Sequence, residues 1–203
     1  GVPEWYIDSC IKIRYLFPKA HAMAYVLDSW RIAWYKLHYP LAFYGSYFTI
    51  KAEDFDLETC WQGKEAIKNK MIKIKEFDDS DGYKHADEIK KVDVFKYKVF
   101  EAMLECMARG FKFGKIDLNK SDATKFIVDE NSNTLIPPFI TIPSLGNIVA
   151  KSIVEERNKK PFKSKEELLR RSKMSITNMN FLQVNGILNS LKEEDQMSLF
   201  EDY

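Results

Sequence analysis

Few of the 203 residues have types and spacings that could do chemistry. The most telling run is Ile140 to Arg157, Ile-Thr-Ile-Pro-Ser-Leu-Gly-Asn-Ile-Val-Ala-Lys-Ser-Ile-Val-Glu-Glu-Arg. Pro143 to Gly146 predicts a tight turn, with Gly146 the residue best suited to a positive φ. Ile148, Val149, Ile153 and Val154 then recur at helical spacing. A short turn therefore feeds a helix whose first amides have no internal partner and carry partial positive charge. That arrangement suits a phosphate. Ser144, Leu145, Gly146, Asn147, Lys151 and Arg157 are the candidate contacts. One such turn is also what any loop entering an amphipathic helix looks like.

A second glycine turn, Asn185-Gly186-Ile187-Leu188, is expected to enter another helix, making Asn185 and Gly186 further candidates. Basic residues outnumber acidic ones between Lys151 and Lys173, although the whole chain balances 31 basic against 30 acidic. Two turns of one kind around a basic segment point to a paired grip on a DNA backbone, the physical content of a helix-hairpin-helix. The usual Gly-hydrophobic-Gly is here Ser144-Leu145-Gly146, with its first glycine replaced.

Other constellations are sparse. Lys19 and His21 stand at a helix start, where a cation and an imidazole beside free amides make a triphosphate site, with Arg14 and Arg31 as weaker companions. Alternatively Lys19 is solvated and His21 is an ordinary helix-start residue. No Ser-His-Asp, Cys-His or His-x-x-x-His pattern exists, which argues against a self-contained hydrolase or zinc enzyme. Asp54 with Asp56 could bind a cation, but capping a helix is the commoner fate of such a pair. Cys10, Cys60 and Cys106 lack metal spacing and read as reduced thiols of a cytoplasmic protein. No apolar run is long enough to span a membrane. Gln196-Met197-Ser198-Leu199-Phe200 sits in an acidic tail and either docks Leu199 and Phe200 into a partner's pocket or tucks back onto its own domain. Without an initiator Met, the chain reads as a piece of something longer.

The elements that must position these residues are mostly helical. Pro3-Glu4 starts one helix, and Phe17-Pro18 breaks it. A second helix, about Ala20 to Leu37, is apolar almost all round and so expected to be central. A third covers about Pro40 to Ile50 and a fourth roughly Leu57 to Phe77, the latter capped by Asp54 or Asp56. Asp78 to Gly82 is a polar break. A long helix from about His85 ends at Gly110. Lys112 to Asp117, Lys125 to Val128 and Thr134 to Ile136 form a small sheet, with Asp129 to Asn133 as a turn. Ser164-Lys165-Glu166-Glu167 caps a short helix, and Ser175 to Val184 forms another. The fold class is mainly α with a small β element.

The chain resembles the C-terminal part of the PolC-type replicative DNA polymerase III α subunit. The resemblance rests on Pro3-Glu4-Trp5-Tyr6-Ile7, Phe17-Pro18-Lys19-Ala20-His21-Ala22, Tyr39-Pro40-Leu41, Ser46-Tyr47-Phe48-Thr49, Leu135-Ile136-Pro137-Pro138-Phe139, Ile142 to Gly146, and Gln196 to Phe200. It implies that residues 1–110 form the end of the fingers, 111–138 a β-containing connector, 139–192 a tandem helix-hairpin-helix duplex-binding domain, and 193–203 an acidic tail. It implies dNTP contacts at Lys19, His21 and Arg14, and a sliding-clamp motif at Gln196, Met197, Leu199 and Phe200. Primer-template DNA, dNTP, the sliding β clamp and other replisome subunits are the implied partners. Chemistry in such an enzyme is nucleotidyl transfer with Mg²⁺ held by a palm lying outside this chain, so this chain holds no cofactor and does not polymerise by itself. A non-catalytic DNA-binding adaptor that recruits a clamp is the alternative. A helix-hairpin-helix repair nuclease subunit is a third reading, opposed by the lack of an acidic catalytic cluster.

Overall fold

The computed structural model describes residues 1–12, 18–80 and 86–193. It divides into two compact units, Gly1–Phe43 and a larger one beginning at Tyr44.

The first unit carries α1 (Glu4–Lys12) and α2 (Pro18–His38). Aromatic side chains at helical spacing meet along α2: His21 lies edge-on to Tyr25 with ring centres 4.3 Å apart, and Trp34 lies 4.5 Å from His38. None of these aromatics is sealed from solvent, however. Trp5 is 70% exposed and Trp30 is 76% exposed. The apolar-all-round pattern of α2 predicts a central helix. In the structure no residue of α2 whose burial is described is buried.

The second unit begins inside α3 (Pro40–Ile50), whose side chains Tyr44 and Phe48 are fully buried. A single 3-10 turn, Ala52–Asp54, leads to α4 (Leu57–Gln62) and α5 (Lys64–Ser80). The sequence reads as one helix here. Gly63 breaks it in two, at φ 94°, a left-handed conformation open to glycine. Asp56 caps α4, its Oδ1 accepting from the Thr59 amide at 2.9 Å. Burial favours its neutral form, but donation from Lys70 and Thr59 prevails and holds its pKa below the usual value. The expected break at Asp78 to Gly82 does not stop α5 before Ser80, and residues 81–82 lie outside the described part.

Next come α6 (Ala86–Ala108), closed by Gly110 at φ 89°, and three short strands. These are β1 (Lys112–Phe113), β2 (Ile127–Asp129) and β3 (Thr134–Ile136), in the order β1-β3-β2. β1 runs parallel to β3, and β2 runs antiparallel to it. The β2–β3 turn is held by Asp129, whose Oδ1 accepts from the Asn131 amide at 3.1 Å. An aromatic cluster joins α3 to this part: Phe48 lies 5.2 Å from Phe113, 5.5 Å from Phe55 and 5.8 Å from Phe126, ring centre to ring centre.

After a 3-10 turn, Phe139–Thr141, the chain finishes with α7 (Asn147–Lys159), α8 (Lys165–Ser172) and α9 (Ile176–Val184). The fold is thus mainly α with one small sheet.

Candidate nucleic-acid interface

The hairpin before α7 is held from below. Phe139 and Ile142 are buried, and the Phe139 and Ile140 amides donate to Asp122 O and Ala123 O, each at 3.0 Å. The turn residue with left-handed backbone is Ser144, at φ 60°. Gly146 is instead an extended N-cap, with φ −76° and ψ 157°. The expectation that Gly146 supplies the positive φ is therefore corrected. Replacing the motif's first glycine by Ser144 puts the strain on a polar residue that tolerates it. Leu145 is also corrected as a contact. It is buried and its amide donates to Ile142 O at 3.1 Å, so it plugs the turn into the core.

What faces outward is the first turn of α7. Ser144, Gly146, Asn147 and Lys151 are all exposed. No side chain caps this helix, and its first internal bond runs from the Ala150 amide to Gly146 O at 3.0 Å. The Asn147, Ile148 and Val149 amides precede that bond and have no carbonyl to meet inside the helix. A Cβ built on Gly146 meets nothing within 4 Å. Neither backbone conformation nor packing requires a glycine there. Its smallness leaves room for something that approaches from outside.

Carboxylates flank this end, a feature that sequence reasoning missed. A groove of about 580 Å³ is lined by Ser144, Gly146 and Asn147 on one side and by Glu53, Asp54 and Glu58 on the other. A smaller one, about 370 Å³, runs past Asn147 and Lys151. No spacing rule links residues so far apart in sequence.

Arg157 turns inward. Its guanidinium donates to Ser121 O at 2.6 Å and Leu118 O at 3.0 Å, tying α7 to the loop after β1. It is a structural anchor rather than the free cation that its place on the polar face implies.

The second turn lies elsewhere than predicted. The Asn185, Gly186 and Ile187 amides donate to Phe181 O, Gln183 O and Leu182 O at 3.2, 2.9 and 2.9 Å. With Gly186 at φ 74°, this is the terminus of α9, not the start of a helix. Described residues after it form turns, with one bridge from Lys192 to Ser164. Asn185 and Gly186 thus offer no free amide.

The structure instead repeats the first hairpin at Lys173-Met174-Ser175. Lys173 is left-handed at φ 58°, Met174 is buried, and Ser175 is an extended N-cap with φ −74° and ψ 157°. The left-handed first residue, the buried second and the extended cap follow the order of Ser144-Leu145-Gly146. The signal in the sequence is a polar residue, an apolar plug and a small cap, with an isoleucine two residues after the first cap and one after the second, which a search for glycine passes over. The copies differ at the cap: Ser175 Oγ accepts from the Asn178 amide at 3.1 Å, whereas Gly146 has nothing to offer. Asn178 Nδ2 donates to Pro143 O at 3.0 Å and binds one hairpin to the other.

Arg171 of α8 sets the spacing between them. It donates to Glu167 at 2.9 Å, to Glu156 at 3.2 Å, to Lys160 O at 2.9 Å and to Glu156 O, and lies over the Phe162 ring at 4.8 Å. Donation from the Lys163 amide, then from Arg171, holds Glu167 below its usual pKa. Lys159, then Arg171, does the same for Glu156.

The remaining candidates are scattered. Lys19 and His21 stand, exposed, in the first turn of α2. Arg14, and with it Gln196, Met197, Leu199 and Phe200, lies outside the described residues. Among the described residues no three His, Cys, Asp or Glu side chains converge to hold a metal, and no helix is long and apolar enough to cross a membrane.

Comparison with known proteins agrees with this geometry. The model of the helix-hairpin-helix motif matches residues 110–197. Proteins named DNA polymerase III PolC-type match nearly end to end: that of Ureaplasma parvum is 44% identical over 202 residues, 98% of this chain. Those of Lacticaseibacillus paracasei and Listeria welshimeri are 46% and 50% identical over 99% and 98% of it. The chain spans only 13–14% of the length of these relatives.

Proposed function

We infer, from a chain that belongs to the PolC-type DNA polymerase III family as one segment of such a protein, that its second unit grips duplex DNA by the backbone. The open first turn of α7, with Ser144, Gly146, Asn147 and Lys151, is the primary phosphate site. The Lys173–Ser175 turn and α9 make a second, weaker grip. The observation carrying this reading is Gly146, a glycine that the fold itself does not need, at the mouth of an uncapped helix.

The rest of the assignment rests on family membership. Residues 1–110 belong to the fingers, with Lys19, His21 and Arg14 toward the incoming dNTP. Residues 111–138 connect to the duplex-binding part at 139–192. In the acidic tail, 193–203, Gln196, Met197, Leu199 and Phe200 bind the sliding β clamp. The activity of the whole protein is template-directed nucleotidyl transfer in the cytoplasm, alongside other replisome subunits. Among the described residues no cluster fits a Mg²⁺ centre. The palm that would hold Mg²⁺ lies outside this chain on the family reading, and this chain alone is expected to make no DNA.

The test is a titration of labelled duplex at several ionic strengths. Affinity should be indifferent to sequence, with a log–log slope of about −0.9 per phosphate engaged. A salt-independent affinity contradicts the grip.

A further inference from the structure

Three helices of the second unit are a natural control for one another. The helix between the hairpins, α8, carries Glu166 and Glu167 in its first turn, the usual complement to a helix N-terminus. The two helices that follow hairpins, α7 and α9, carry no acid there. In that place each has an isoleucine in solvent. Ile148, the second residue of α7, is 82% exposed, and Ile176, the first residue of α9, is 69% exposed. Folding gains almost nothing from a side chain left in water, and a polar residue would serve these positions better. The pair is also not scattered, because Asn178 in the first turn of α9 is bonded to Pro143 in the turn before α7.

We propose that Ile148 and Ile176 pack against the deoxyribose rings of the strand whose phosphates the hairpins hold, and that they thereby favour DNA over ribose-containing duplex. The proposal rests on the backbone grip inferred above. Phosphates on a strand are separated by sugars, whose carbon edges are the apolar surface nearest to a bound phosphate. A helix start that offers amides to the phosphate thus brings its first-turn side chains to the sugar. The helix starts themselves suit the same occupant: acids are absent from both first turns, and the exposed Lys151 lies one turn beyond Ile148. Glu53, Asp54 and Glu58, with Lys96 among them, line the groove beside Gly146 and confine the strand to the Lys151 side. A 2′-hydroxyl set against an isoleucine would lose its water without gaining a partner. Phosphate contacts alone carry no such discrimination.

The experiment titrates the 1–203 chain and the Ile148→Ser/Ile176→Ser double variant with a DNA duplex and with the same duplex carrying singly spaced ribonucleotides, over a range of salt. Both side chains are exposed, so the thermal midpoint should stay put, and Ile148→Leu/Ile176→Leu serves as the conservative control. The proposal expects the double Ser variant to lose about tenfold in affinity at every salt concentration, with the log–log slope unchanged. It also expects the wild-type preference for the all-DNA duplex to narrow, and the Leu variant to keep it. A wild-type chain that shows the salt slope while the Ser variant keeps full affinity and the same preference overturns this proposal and leaves the grip standing. A wild-type chain with no salt slope overturns the grip, and the proposal with it.

Discussion

The two hairpins share a left-handed first residue and an extended cap, and they differ most in whether that cap carries a hydroxyl. Ser144-Leu145-Gly146 and Lys173-Met174-Ser175 put a left-handed residue, a buried plug and an extended cap in the same order. The second fills its helix start with its own hydroxyl. The first leaves its helix start empty. A capped start is stable by itself, whereas an uncapped one gives up that stability and keeps the amides for a ligand. The difference teaches that the fold needs the hairpin twice as architecture and, on our reading, leaves only the first uncapped, for the stronger of the two grips.

If the pair is held as one body through α8, breaking the α8 network should cost most. Arg171→Met takes the guanidinium from buried Glu167, from Glu156 and from two backbone carbonyls, leaving Glu167 the Lys163 amide and Lys160. It should destabilise the second unit by about 3–5 kcal/mol, read as a loss of roughly 6–20 °C in thermal midpoint. The same contact gives an acid sensitivity. The pKa values of Glu156 and Glu167 are lowered by folding, so their contribution is complete above the ordinary glutamate value of about 4.3 and is lost as pH falls through their lowered values. Melting at descending pH should show the wild type losing stability in that window and Arg171→Met losing less.

Equivalent plugs should give comparable losses. Leu145→Ala and Met174→Ala should each cost about 2–5 kcal/mol in denaturant unfolding, since both side chains are buried. A large loss at one and none at the other would break the equivalence of the hairpins. The caps should be unequal. Ser175→Ala should cost about 1 kcal/mol by removing the bond to the Asn178 amide, while Gly146→Ala should cost less, since no side-chain bond is lost and no neighbour is met and only the N-cap preference of glycine over alanine is given up.

Local signals carried much of the fold. Proline and glycine punctuation marks α3 and the end of α6, Asp129 to Asn133 marks its turn, and Ser164 marks α8. What sequence reasoning lost was whatever depends on distant partners. Gly63 was passed over inside one helix read from roughly Leu57 to Phe77, yet its backbone breaks that helix. Hydrophobic content made α2 look central, whereas its described residues are exposed or only half-buried. At the site, the start of α7 was legible because helix starts are local, but the positive φ falls on Ser144 rather than Gly146 and Leu145 is buried. Arg157 was misread because the carbonyls that engage it lie 36 and 39 residues away. Glycine at 185–188 drew the second hairpin to the wrong place: it ends α9, and the true copy uses a lysine and a serine.

The central claim is that the α7 start is kept open for an anion, and Gly146→Asp tests it most directly. A carboxylate at an N-cap normally stabilises a helix, by about 0.3–1 kcal/mol through the dipole alone, and a side chain at 146 meets no neighbour. The account predicts a thermal midpoint that holds or rises while duplex affinity, titrated at fixed moderate salt, falls by about tenfold or more. Unchanged affinity in a folded Gly146→Asp chain would contradict it.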